Sequence, residues 1–259
     1  MSRAGRLRAS TRAAALAFLR RRTAVFFTFL FPLLIVVIFG ALIQTQPTGG
    51  GLFAEPPGYY VPGYLAVVVL FTPLSRVGSE VARHREGNRF EKLATTPLTR
   101  AEWLLAQTAV NVAVIGTAAL LLLGLLLAVT AAEITLSPLL VPFVVAAVAL
   151  FCGVGALLGS FADSQDGVIA ASNALALPLL FLSETFVPPS MLPSWFRPLL
   201  DLSPLTYFSR GVRAATFTPA DGVVLGSWGG HDPIVNLAVL AALAVVSLAA
   251  GSLALPRTD

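Results

Sequence analysis

"LLAQTAVNVAVIGTAALLLLGLLLAV", residues 104–129, runs for 26 residues without a charged side chain. A bilayer core about 30 Å thick is crossed by about 20 apolar helical residues at 1.5 Å each. This stretch therefore reads as a spanning helix, and the rest of the chain agrees. Of its 259 residues 56% are hydrophobic and only 12% charged, with a mean hydropathy of +0.83; soluble domains carry about 25% charged residues. Five further stretches qualify as spans, near 24–43, 59–78, 138–161, 167–187 and 233–255. The second contains Pro62 and Pro73, and the fifth Asn173, Pro178 and Glu184. Such residues are tolerated in lipid when neighbouring helices re-satisfy the backbone, so these two spans are expected to face other protein. The fold class is an all-α integral membrane protein with six transmembrane helices in a single domain, residues 1–259.

Charge orients the chain. The segment before the first span holds seven basic residues, the connection at 76–102 six, the segment at 188–232 three, and the tail Arg257. Six spans place 14 of the 17 basic residues on one side, which the positive-inside rule makes cytoplasmic, with both termini there. The expected location is the cytoplasmic (inner) membrane. The pI of 9.8 is explained by this bias; no nucleic-acid-binding motif is present and no nucleic-acid partner is expected. The single cysteine, Cys152, lies in an apolar run and can form no disulfide framework. His84 and His231 have no Cys, Asp or Glu at ligand spacing, so no metal site is expected.

Residues 20–46 carry an apolar core too long for a secretory leader and no A-x-A cleavage site, and read as a retained span. Ahead of it, in residues 1–23, Leu7, Thr11, Ala14 and Phe18 recur at helical spacing while Arg6, Arg8 and Arg12 fall largely on other faces. That is the pattern of a basic amphipathic helix lying in the membrane interface, with a disordered basic leader as the alternative. The Gly155-x-x-x-Gly159 pair marks close helix approach, and only weakly a dimer interface.

Against this background "REGNRFEKLATTPLTR", residues 85–100, must stay in water, and the connection of 79–102 is far longer than a turn needs. Gly87 can end a helix arriving from the second span, and Pro97 disfavours helix at Thr96. Between them Asn88–Thr95 makes about two turns, with Phe90, Leu93 and Ala94 on one face. So short a helix is held by packing, on its own bundle or on another protein. Thr99-x-x-Glu102 forms a capping box opening the third span, with Trp103 as an interface anchor. The residues alone leave a solvated connecting loop and a docking helix equally open.

Two stretches carry a resemblance. "HREGNRFEKLATTPLTRAEWLLAQ" resembles the cytoplasmic loop of type-2 ATP-binding-cassette (ABC) transporter permeases, through Glu86, Gly87, Glu91, Leu93, Thr96 and Pro97. "LPLLFLSETFVPPSMLPSWFRPLLDLSPLTYFSRGVRA" resembles the family's fifth span, outer re-entrant segment (188–232 here) and S-P-L-T-Y element, through Ser203, Pro204, Leu205, Thr206, Tyr207 and the following Arg213. Glu184 departs from the family, where a small residue is common, and Asn88 stands where a threonine is common. The resemblance implies an exporter subunit paired with a second permease copy, identical or homologous, in contact with membrane lipids. A nucleotide-binding ATPase subunit would dock on a coupling helix formed by Arg85, Glu86, Gly87, Phe90, Glu91, Leu93, Thr96 and Pro97.

The chain's own residues fit that division of labour. A P-loop needs G-x-x-x-x-G-K-[ST], and the only lysine, Lys92, lies between Glu91 and Leu93. No cofactor is expected on this chain; ATP and Mg would be held by the partner, and the chain itself is expected to be non-catalytic. Candidate pathway or outer-gate residues are Asn173, Glu184, Pro204, Tyr207 and Arg213. Three have a structural reading: interhelical hydrogen bonding for Asn173, with Gln107 and Asn111, a snorkelling or hydrogen-bonded role for Glu184, and capping or anchoring of the outer segment for Arg213. An intramembrane carboxylate such as Glu184 leaves one alternative function, a proton-coupled secondary transporter. A membrane-embedded enzyme ranks below both, because the spans offer one carboxylate and no convergent acid, base or metal-ligand set.

Overall fold

The computed structural model describes residues 2–38, 56–129, 134–217 and 232–256. Among the described residues all regular structure is helical. Helix α1 (Arg3–Leu19) starts at Ser2, whose hydroxyl accepts from the Gly5 N–H at 3.2 Å. Its buried Ala14 and Phe18 and half-buried Leu7 and Thr11 share one face, as the spacing predicts, and this face packs on α5 (Arg100–Val129). Helix α2 (Arg22–Val36) follows after a tight elbow at Arg20 and Arg21. Residues 39–43 of the first expected span lie outside the described residues, as do His231 and Arg257.

Helix α3 (Val61–Glu86), entered through the 3₁₀ turn Pro57–Tyr60, is the axis of the molecule. All of Val61–Leu70 is buried, as expected of a proline-bearing span that faces protein. It continues eight residues past the expected end at 78 because no proline or glycine lies between Gly78 and Gly87. Polar Arg76, Ser79 and Glu80 are therefore helical positions and not part of a loop. The short α4 (Arg89–Ala94) then leads into α5, whose capping box forms as predicted. The Thr99 N–H donates to Glu102 Oε2 at 2.9 Å, and the Glu102 N–H to Thr99 Oγ1 at 3.1 Å.

Helix α6 (Leu140–Phe161) packs between α3 and α10 (Pro233–Ala254) through glycines. A Cβ at Gly159 would overlap the Gly78 carbonyl oxygen, and one at Gly155 would stand 2.5 Å from the Leu74 oxygen. On its other side Gly153 lies against the Ser247–Leu248 backbone. The G-x-x-x-G pair thus serves contact within the chain. Cys152 is fully buried in this core.

Helix α7 (Gln165–Phe181) is shorter than the expected 167–187. The Ser183 and Thr185 hydroxyls both donate to the Leu180 carbonyl, and Glu184 adopts a left-handed conformation at φ 58°, which closes the helix end and turns the chain inward. Unlike α3, α7 exposes Asn173, Leu177, Pro178 and Phe181 in the single chain. After a 3₁₀ turn (Pro189–Met191) and α8 (Arg197–Leu200), α9 (Pro204–Thr216) returns to pack on α3, α6 and α10, burying Leu205, Phe208 and Val212. Among the described residues four helical stretches are long and apolar enough to cross a membrane, Pro57–Glu86, Arg100–Val129, Leu140–Phe161 and Pro233–Ala254; α2 and α7 are shorter apolar helices of 15 and 17 residues.

Candidate functional site: the α4 surface

The polar connection forms a knot of contacts at one end of the bundle. Gly87 ends α3, its N–H donating to the Arg83 carbonyl at 3.1 Å, and Asn88 takes a left-handed φ of 49° that redirects the chain into α4. Phe90 is only 7% exposed and stacks edge-on against Trp103 of α5, with ring centroids 5.4 Å apart. His84 of α3 completes the cluster, 5.4 Å from the Phe90 ring and 5.2 Å from Trp103. Leu93 is half-buried beside them. Trp103, expected as an interface anchor, is instead core, because α4 folds back over it.

Two charged residues next to α4 fasten other helix ends. Arg85 donates through Nη1 to the carbonyls of Gly159 (3.1 Å) and Ala162 (2.8 Å), placing a cation on the C-terminal end of α6. Glu86 accepts from the Gln165 backbone N–H (3.2 Å) and Nε2 (3.1 Å), placing an anion on the first turn of α7. On the adjoining side Arg6 of α1 pairs with Glu102 at 2.8 Å. The ends of α1, α3, α5, α6 and α7 are thus tied around one short helix.

The eight candidates of this region divide in two. Arg85, Phe90 and Leu93 are committed inward, whereas Glu86, Gly87, Glu91, Thr96 and Pro97 are exposed. Lys92, Ala94 and Thr95 extend the exposed surface. The inward ties of Arg85 and the ion pair of Arg6 had no local signal in the sequence, since their partners lie 74 to 96 positions away.

The second group of candidates lies at the opposite end of α3, about 39 Å away for a 26-residue helix. Glu184 is 4% exposed and bound by Arg210, which reaches its carboxylate through Nε (3.1 Å to each oxygen) and Nη2 (2.5 Å). Arg210 also holds Asp201 at 2.7 Å. Burial alone would lower the Arg210 pKa; its bonds to the two carboxylates outweigh that and hold it above its ordinary value. Arg213 lies 4.0 Å over the Tyr59 ring and donates to the Glu184 carbonyl at 2.5 Å, which matches its reading as an anchor. Tyr207 donates to the Asp201 carbonyl at 2.8 Å, and Pro204 opens α9 in its first turn. Asn173 stands apart, exposed on α7. Sequence reasoning did not single out Arg210, because pairing across 26 positions between two short segments leaves no periodic trace.

Among the described residues, an all-helical bundle with apolar spans and a polar surface built on one connecting helix defines a polytopic membrane protein. The family model for the ABC-2 type transporter matches residues 6–217, and the chain belongs to that family. It is a transmembrane permease component of an ABC transporter, a class that works with ATP-binding subunits and is generally non-catalytic. No curated protein matches the chain.

Proposed function

We propose that this permease is the membrane subunit of an ATP-driven exporter that moves a hydrophobic or amphipathic substrate, such as a drug, lipid or lipid-linked glycan. A separate nucleotide-binding subunit, carrying ATP and Mg, docks on the exposed face of α4. The chain lies in the cytoplasmic membrane with α1 in the interface, both termini on the cytoplasmic side, and a second permease copy completing the pathway. The observation that carries the reading is the division of α4: its apolar side is locked to α3 and α5, while Glu91, Lys92, Thr96 and Pro97 face outward. A force applied to that outer face passes directly to α3 and α5, and through the ties of Arg85, Glu86 and Arg6 to the ends of α6, α7 and α1, which is what coupling to a partner's motion requires.

The buried Glu184–Arg210 pair weighs against the proton-relay alternative, since both carboxylate oxygens are occupied by one guanidinium. Glu91→Arg reverses charge on the outer face without touching an internal contact. Its expected outcome is a protein that inserts normally but loses its ATPase in copurification from the membrane. Retention of a fully stimulated ATPase by that variant would sink the docking role.

A further inference from the structure

A cleft of about 460 Å³ opens between the α1–α2 elbow and α3. Its polar end holds Arg21 and Arg76, and its apolar wall includes Phe27 and Phe31 of α2, which are 58% and 50% exposed. Arg76 is unusual. It lies within α3, its guanidinium rests 4.0 Å from the Phe18 ring centroid, and its Nη1 donates to Asn111 Oδ1 at 3.3 Å. Among the described residues no carboxylate pairs with it. The acid lining the cleft, Glu80, is engaged by Arg83, by Arg21 at 3.4 Å and by His84 Nδ1 at 3.4 Å. A half-buried cation in a membrane helix calls for a counter-charge, and guanidinium favours phosphate oxygens.

We propose that this cleft binds one anionic phospholipid, its phosphate held by Arg76 and Arg21 and its acyl chains lying along Phe27 and Phe31. Charge complementarity selects the headgroup, and the exposed phenylalanine wall selects a lipid over a free anion, which would leave that wall uncovered. Thr28 and Asn173 border the cleft and suit the glycerol and headgroup oxygens. The lipid would brace α2 against α3. Binding at this site requires no ATPase and is tested without transport.

The test is native mass spectrometry of the purified full chain in detergent, titrated with phosphatidylglycerol or phosphatidylcholine. The anionic lipid is expected to bind about tenfold more tightly, and Arg76→Gln to erase most of that preference. Arg12→Gln, which removes an exposed charge of α1 away from the cleft, is expected to leave it intact. Ala24→Trp fills the cleft without altering a charge and is expected to lower retention of both lipids; it decides the matter if Arg76→Gln does not fold. Equal binding of the two lipids, equal loss in Arg12→Gln, or displacement of the lipid by millimolar inorganic phosphate would overturn the proposal.

Discussion

Glu184 shows how a single residue changes meaning once its partner is known. A carboxylate in an apolar stretch suggests proton chemistry, but here it is one half of a buried pair that pins α9 beneath the end of α7. Arg213 reads the backbone of the same residue, so the left-handed turn at Glu184 is held by both its side chain and its carbonyl. Removing the Glu184 charge leaves the buried Arg210 with the more exposed Asp201 as its remaining carboxylate, a loss of about 2 kcal/mol. Glu184→Gln is expected to lower the thermal unfolding midpoint in detergent while leaving transport by the surviving folded protein unchanged. A normal midpoint with altered transport would return Glu184 to the pathway.

At the scale of elements, small residues decide which helices meet. Gly78, Gly155 and Gly159 bring the backbones of α3 and α6 together, and Gly153 and Gly251 do so for α6 and α10. Without a hydrophobic drive between helices in lipid, such close packing is a main source of association. Gly159→Ala should therefore cost about 2 kcal/mol or more, because the clash is with backbone that cannot rotate away. Gly116 on α5 has open space where its Cβ would be, and Gly116→Ala is expected to stabilise the helix by up to about 1 kcal/mol. Urea unfolding of the two variants in the same detergent gives opposite signs if this account holds, and equal signs if it does not.

For the whole molecule the question is how one end informs the other. Helix α3 runs from Tyr59 and the Arg213 network to the Phe90–His84–Trp103 cluster, so it joins the α4 surface to the opposite end as one element. Phe90→Ala should separate docking from transmission. Since Phe90 is buried against its own bundle, its loss leaves the outer face of α4 in place and loosens the grip on α3 and α5. The ATPase is expected to copurify, with its substrate-stimulated turnover reduced about tenfold or more, as for other losses of about 1.4 kcal/mol in coupling. Failure to copurify would place Phe90 in the docking face after all.

Hydropathy, the charge bias, the two punctuating residues Gly87 and Pro97 and the capping box at Thr99 were legible in the chain by itself, because each is a local pattern enforced by lipid or by backbone geometry. So was the shared face of Leu7, Thr11, Ala14 and Phe18 on α1, which follows from helical period, though not its packing on α5. Other features were not legible. The inward turn of Trp103, the ties of Arg85 and Glu86 and the pairing of Glu184 with Arg210 depend on residues distant in sequence, and the end of α7 at Phe181 on a left-handed turn at Glu184 that an apolar run does not announce. The sequence by itself determined that this protein is a membrane bundle with a polar connection between two spans, since burying so many charges in lipid is too costly, and it left a loop and a short helix equally open there. Only the tertiary structure decided which side of that helix is free: Phe90 found its partners in α3 and α5, and packing between helices obeys contacts that no local period encodes.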